Sequence, residues 1–183
     1  MRLPYLLCAA LLALGGAVAS AGCTSSDSGE GGPNRPASFV GETPGEGATV
    51  FLRGRPAGTQ PAGGPVVVDV VARGAADLHG AAFRVTWDTN ALAFVEAQSG
   101  SVWSKQALAL SKEGTPGQLA VTWTEKGERG IDATGEVVLG TLVFDARGRG
   151  ETPLTFKTER SQVVDKKGAP LVVSWRGGVV AGR

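Results

Sequence analysis

The sequence predicts an all-β fold, a two-sheet sandwich of jelly-roll or Greek-key type, and three observations carry the prediction. From Ala48 onward, short runs of alternating apolar and polar residues are broken by Gly, Pro, Asn and Asp. No window of about 12 residues keeps the apolar spacing of three and four that a helix face needs. The run Val137–Phe144, VVLGTLVF, is apolar on both parities and reads as a central strand covered on both sides.

Residues 1–22 read as a removable leader. Arg2 supplies the positive start, and Leu6 to Val18 is an apolar core too short to span a bilayer. Ser20-Ala21-Gly22-Cys23 resembles a bacterial lipobox, which makes Cys23 the acylated first residue of the mature chain and its anchor to a membrane. Ordinary secretion with cleavage near residues 19–21 is the alternative. Residues 23–46 then form a Ser/Gly/Pro-rich stretch that is expected to be a flexible tether, since it has little apolar surface to offset its ordering entropy. Its acids Asp27, Glu30, Glu42 and Glu46 face a single Arg35, while the domain from residue 47 to 183 is slightly basic.

Within that domain, strands are expected near 48–53, 66–73, 81–87, 92–97, 107–111, 118–124, 136–146, 153–158, 162–165, 170–175 and 178–181. Val66, Val68, Val70 and Ala72 share one face of the second, with Val67, Asp69, Val71 and Arg73 on the other. In the third, Phe83, Val85 and Trp87 alternate with Arg84, Thr86 and Asp88, and Asp88-Thr89-Asn90 supplies turn chemistry before Leu92 and Phe94 return to the core. Val-Thr-Trp recurs at 121–123, too short to count as a repeat.

Composition excludes several classes. A formal net charge of +1 gives no basic surplus for nucleic acid. The cysteines are Cys8 and Cys23, so loss of the leader leaves the mature domain without a disulfide. A serine nucleophile would have only His79 as imidazole base, and no elbow motif surrounds any serine. Glu125, Glu128 and Asp132 cluster in KGERGIDATG, but with Lys126 and Arg129 among them the segment reads as a solvated loop, not a glycosidase pair. Asp88 with Asn90, and Asp165, offer oxygens of the kind calcium takes, yet each is more simply a turn residue. No enzyme activity, cofactor or metal is expected.

Parity assigns the tryptophans. Trp87, Trp123 and Trp175 each share a side with apolar neighbours and read as core. Trp103, in SVWSK, lacks such company and is the candidate exposed ring for carbohydrate stacking.

The ordered pattern resembles the cohesin domain of cellulosome scaffoldins and related bacterial surface proteins. Five segments carry the resemblance: Val66–Val71, Phe83–Leu92, Trp123-Thr124-Glu125 followed by Gly127 and Gly130, Gly135–Phe144, and Trp175-Arg176-Gly177-Gly178-Val179. It implies a nine-stranded jelly roll without catalysis, one sheet face of which binds a dockerin module, with a connection to polysaccharide degradation. On the two strands matching the contact strands, Ala82, Arg84, Thr86, Ala120, Thr122 and Thr124 face outward, and Glu125 matches a carboxylate that the family uses in binding. The expectation is a lipid-anchored, exported envelope protein with a protein-binding domain. A carbohydrate-binding module, to which such jelly rolls are related, and a purely structural envelope lipoprotein are the alternatives.

Overall fold

The computed structural model describes residues 37–55 and 64–182. The leader, Cys23 and most of the expected tether lie outside the described residues. Among the described residues, fourteen strands form two sheets that pack face to face. The first holds β1 (Ser38–Gly41), β4 (Ala75–Thr86), β6 (Leu108–Glu113), β7 (Gln118–Thr124), β8 (Ile131–Ala133), β10 (Glu151–Phe156), β11 (Gln162–Asp165), β12 (Pro170–Leu171) and β14 (Gly178–Ala181). The second, in the order β13-β2-β3-β9-β5, holds β2 (Thr49–Gly54), β3 (Val66–Arg73), β5 (Leu92–Ser99), β9 (Val137–Ala146) and β13 (Ser174–Arg176). All pairings are antiparallel except that of β13 with β2.

The alternation read from the sequence builds the core. Phe83, Val85 and Trp87 point between the sheets from β4 and its end, Leu119, Val121 and Trp123 from β7, and Leu139, Leu142 and Phe144 from β9. Phe83 lies edge-on to Trp123 with ring centroids 5.3 Å apart, and Trp87 is edge-on to Phe144 at 5.2 Å. Such offset aromatic pairs add to the area that they remove from water. Gly140 of β9 makes room for Trp123, because a Cβ there would overlap the outer edge of the indole ring at Cη2 and Cζ2.

The all-β sandwich is therefore the fold, and the differences from expectation are local. The resemblance implied nine strands; segmentation raises the number. The expected strand at 170–175 is two, β12 pairing in the first sheet and β13 in the second, since Val172 and Val173 carry the chain between layers. The expected tether ended at residue 46, yet Ser38–Gly41 pairs in register with β14. Within the expected tether this segment holds the large apolar residues Phe39 and Val40, and Phe39 packs against the core while the strand crosses β2 closely. A Cβ on Gly41 would lie 2.5 Å from the Leu52 carbonyl oxygen, and one on Gly54 2.6 Å from that of Phe39. Glycine at both points of approach lets backbone pack on backbone.

The loop KGERGIDATG is not solvated throughout. Ile131 and Ala133 are buried as β8, which pairs with the start of β4. β9 is paired on both edges, by β3 and β5, and its outer side is covered only in part: Val143 is buried there, while Val137, Val138 and Thr141 remain half-buried. The register shift between β3 and β9 reflects an extra residue in β9, Val70 pairing with Gly140 and Val71 with Val138. The alternation of β3 holds through Val70 and Ala72, and Val71, on the outer side as expected, is fully buried there opposite Phe51 of β2.

Candidate interaction face

The outward residues of the first sheet fall into cross-strand rows fixed by register. Leu108, Thr124, Gly80 and Val164 form one row across β6, β7, β4 and β11, and Leu110, Thr122, Ala82 and Gln162 form the next. Lys112, Ala120 and Arg84 follow, and Gln118 and Thr86 lead on to Thr155 of β10. The structure thus brings four sequence-predicted residues, Arg84, Thr86, Thr122 and Thr124, onto one face, each half-buried.

The middle of this face is flat. Gly80, Ala82 and Ala120 rise little above the backbone, and Thr124 and Thr86 are tied down. The Thr124 hydroxyl donates to the His79 carbonyl (3.3 Å), and the Thr86 and Thr155 hydroxyls lie 3.0 Å apart. The Arg84 amide donates to Ser161 Oγ at 3.2 Å, leaving its guanidinium without an ion pair among the described residues.

Sequence reasoning missed the apolar part of the face. Leu108 and Leu110 are 39% and 56% exposed on β6, an edge strand whose every residue is exposed. Their parity follows from pairing opposite Thr124 and Thr122, while Ala109 and Ser111 pair opposite the core residues Trp123 and Val121. A leucine alternation signals a core face in sequence; only register shows that here it faces solvent.

Glu125 requires a correction. It was expected at the strand end as a partner contact, but its side chain is 1% exposed and turned inward. One carboxylate oxygen accepts the Ser104 amide at 2.6 Å and the other accepts the Ser104 hydroxyl at 2.6 Å. Burial works to raise its pKa. The Ser104 hydroxyl and amide, with Arg129 and His79 nearby, outweigh burial and hold the carboxyl below the ordinary glutamate value. Glu125 is a clasp on the segment joining β5 to β6.

Trp103, on that same segment, also departs from expectation. It is 7% exposed, and its indole N–H donates to the Leu139 carbonyl at 2.6 Å. Neighbours distant in sequence bury a ring set in a mostly polar stretch, so it presents no face to a sugar. Trp175, expected in the core, is half-buried beside Phe156, with centroids 4.9 Å apart. Its strand β13 is at the end of its sheet, where one side of a ring stays open.

The remaining acids serve local structure. Asp88 accepts the Asn90 amide at 2.9 Å, and Asp165 accepts those of Lys167 and Ala169 at 2.8 Å. The Thr134 amide and hydroxyl lower the pKa of Asp132. Among the described residues, no group of three or more His, Cys, Asp and Glu side chains could hold a metal ion. An open groove of about 530 Å³ beside β1 and β2, lined by residues including Phe39, Phe51, Arg53 and Glu136, contains none of the predicted site residues.

This architecture is the cohesin fold. The sixth cohesin of scaffoldin B from Acetivibrio cellulolyticus, solved with a dockerin, superposes with a TM-score of 0.63 at 19% identity, over 75% of this chain and 99% of that one. A chain of a type I cohesin–dockerin complex from Clostridium thermocellum gives 0.57 at 12% identity, over 77% and 97%. A non-cellulosomal cohesin from the archaeon Archaeoglobus fulgidus gives 0.53 at 17% identity, over 78% and 88%. No protein-family model matches the chain, and no curated protein matches it.

Proposed function

We propose that this protein is a non-catalytic interaction module, anchored to the cell envelope through an acylated Cys23, whose β6–β7–β4 face binds a dockerin-type protein domain. The observation that carries the reading is the face itself. Flat ground formed by Ala82, Ala120, Thr122 and Thr124, on strands paired in register, borders the exposed Leu108 and Leu110. A small apolar patch beside a polar surface is the usual anatomy of a protein interface, where a few anchors supply most of the energy. The solved structures with this fold include cohesins bound to dockerins, which supports the choice of partner class. Burial of Trp103 removes the ring on which the carbohydrate reading rested.

The test is capture of purified dockerin modules by the full chain and by two face variants, Thr122→Arg and Leu110→Glu. Both positions are solvent-facing, so the thermal midpoint should stay within a degree or two. The expected result is binding by the parent chain and loss in both variants. Binding that survives both substitutions would move the interface elsewhere.

A further inference from the structure

The outward face carries an unbalanced charge pattern. Lys112 of β6, Ala120 of β7 and Arg84 of β4 stand in one row, and the ladder continues to Lys157, whose amide donates to the Arg84 carbonyl at 2.9 Å. Lys157 follows Phe156, which packs inward on Phe83, and its own backbone is extended, so its side chain shares the outward face. Three cations therefore occupy one line. None makes an ion pair among the described residues.

No acid answers them on this face. Where β6, β7 and residues 80–86 of β4 pair, the outward positions are Leu108, Leu110, Lys112, Gln118, Ala120, Thr122, Thr124, Gly80, Ala82, Arg84 and Thr86, without one carboxylate. Asp77, near the start of β4, is paired with Lys166. Glu113 is on the opposite parity of β6 and accepts the Gly117 amide. In a chain of formal net charge +1, this is a local segregation of sign rather than an overall excess.

We infer that the partner presents an acidic amphipathic helix, laid along the Lys112–Arg84–Lys157 row with an apolar side chain on Leu110. The inference rests on the proposed use of this face and specifies its partner. Adjacent strands are about 4.8 Å apart, which separates Lys112 from Arg84 by about 10 Å and Arg84 from Lys157 by about 5 Å. A helix rises about 1.5 Å per residue, so carboxylates about seven and then about three to four residues apart match both intervals. A helix about 10 Å across also covers the neighbouring row, where Leu110 stands. Charges of opposite sign on a flat face fix the helix direction and speed encounter.

The experiment uses the full chain and three synthetic helical peptides of equal length. One carries leucines and glutamates at the matched spacing, one replaces the glutamates by lysines, and one moves the glutamates to the opposite helix face. Fluorescence anisotropy should show the matched peptide binding at least tenfold tighter than either control, and weakening as salt rises from about 0.05 to about 0.5 M. Lys112→Glu, Arg84→Glu and Lys157→Glu should each weaken it about tenfold with an unchanged thermal midpoint. Equal binding of acidic and basic peptides, no binding of any, or indifference to all three reversals overturns the inference. Dockerin capture in parallel separates the two levels. Capture lost with Leu110→Glu but kept in the reversals retains the face and rejects the acidic helix, whereas capture indifferent to every variant rejects the face.

Discussion

Replacing Glu125 by alanine should loosen the β5–β6 connection, and the size of the effect follows from what the carboxylate holds. It accepts two hydrogen bonds from Ser104, both 2.6 Å long, on a side chain that is 1% exposed. A hydrogen bond to a charged group contributes about 1.5–3 kcal/mol. Ser104 is half-buried and regains some water, so the pair together should cost about 2–4 kcal/mol on loss. Arg129, 3.8 Å away with a side chain 58% exposed, adds little. For a domain of this size each kcal/mol moves the midpoint by about 2–4 °C, which gives a fall of roughly 4–16 °C. Glu125→Gln, which keeps an acceptor oxygen but loses the charge, should fall by about half as much. The pH dependence has a definite sign. A carboxyl whose folded pKa is depressed contributes fully above its ordinary value of about 4.3 and loses that contribution as pH falls through the folded value. The stability gap between parent and Glu125→Gln should therefore be widest near neutrality and narrow below about pH 4. Calorimetry from about pH 7 to about pH 3 measures it, and a double-mutant cycle with Ser104→Ala should return a coupling of about 0.5–3 kcal/mol. A gap that stays constant over that range, or a cycle that closes to zero, would falsify the clasp.

Gly140→Ala should cost about 1–3 kcal/mol by overpacking, since its methyl would overlap the edge of the Trp123 ring and lie 2.5 Å from the Gln98 carbonyl oxygen. Combining it with Trp123→Phe, which withdraws the outer part of the ring, should recover part of the loss in a denaturant titration. Trp103→Ala should lower stability by about 3–5 kcal/mol, as a large-to-small core change, and not act as a binding variant. Affinity electrophoresis with soluble polysaccharide that depends on Trp103 in a folded Trp103→Phe variant would contradict this. Cys23→Ala should release the protein from membranes or leave an unprocessed precursor, because the proposed anchor is a multiply acylated Cys23, and stable anchoring takes more than one acyl chain. Intact mass of the mature chain checks it, and an unmodified chain beginning elsewhere would refute lipidation.

The sequence by itself determined the layer architecture. Alternation at Phe83–Trp87 and Leu119–Trp123 set which side chains enter the core, because side-chain direction reverses at every residue of a strand. It also determined the flat, polar part of the candidate face, since Arg84, Thr86, Thr122 and Thr124 are the other parity of those same strands. Tertiary structure decided what depends on neighbours remote in the chain. Leu108 and Leu110 face solvent because register sets them opposite Thr124 and Thr122, on the outward parity of β7. Trp103 is buried because the Leu139 carbonyl takes its indole N–H from 36 residues away. Ser38–Gly41 is a strand because β14 supplies its hydrogen bonds and glycines admit β2 alongside. Glu125 lies just past a strand end, where alternation no longer dictates direction, and there Ser104 turned the carboxylate inward. Local pattern encodes parity along a strand; register, edges and long-range hydrogen bonds arise only when strands meet.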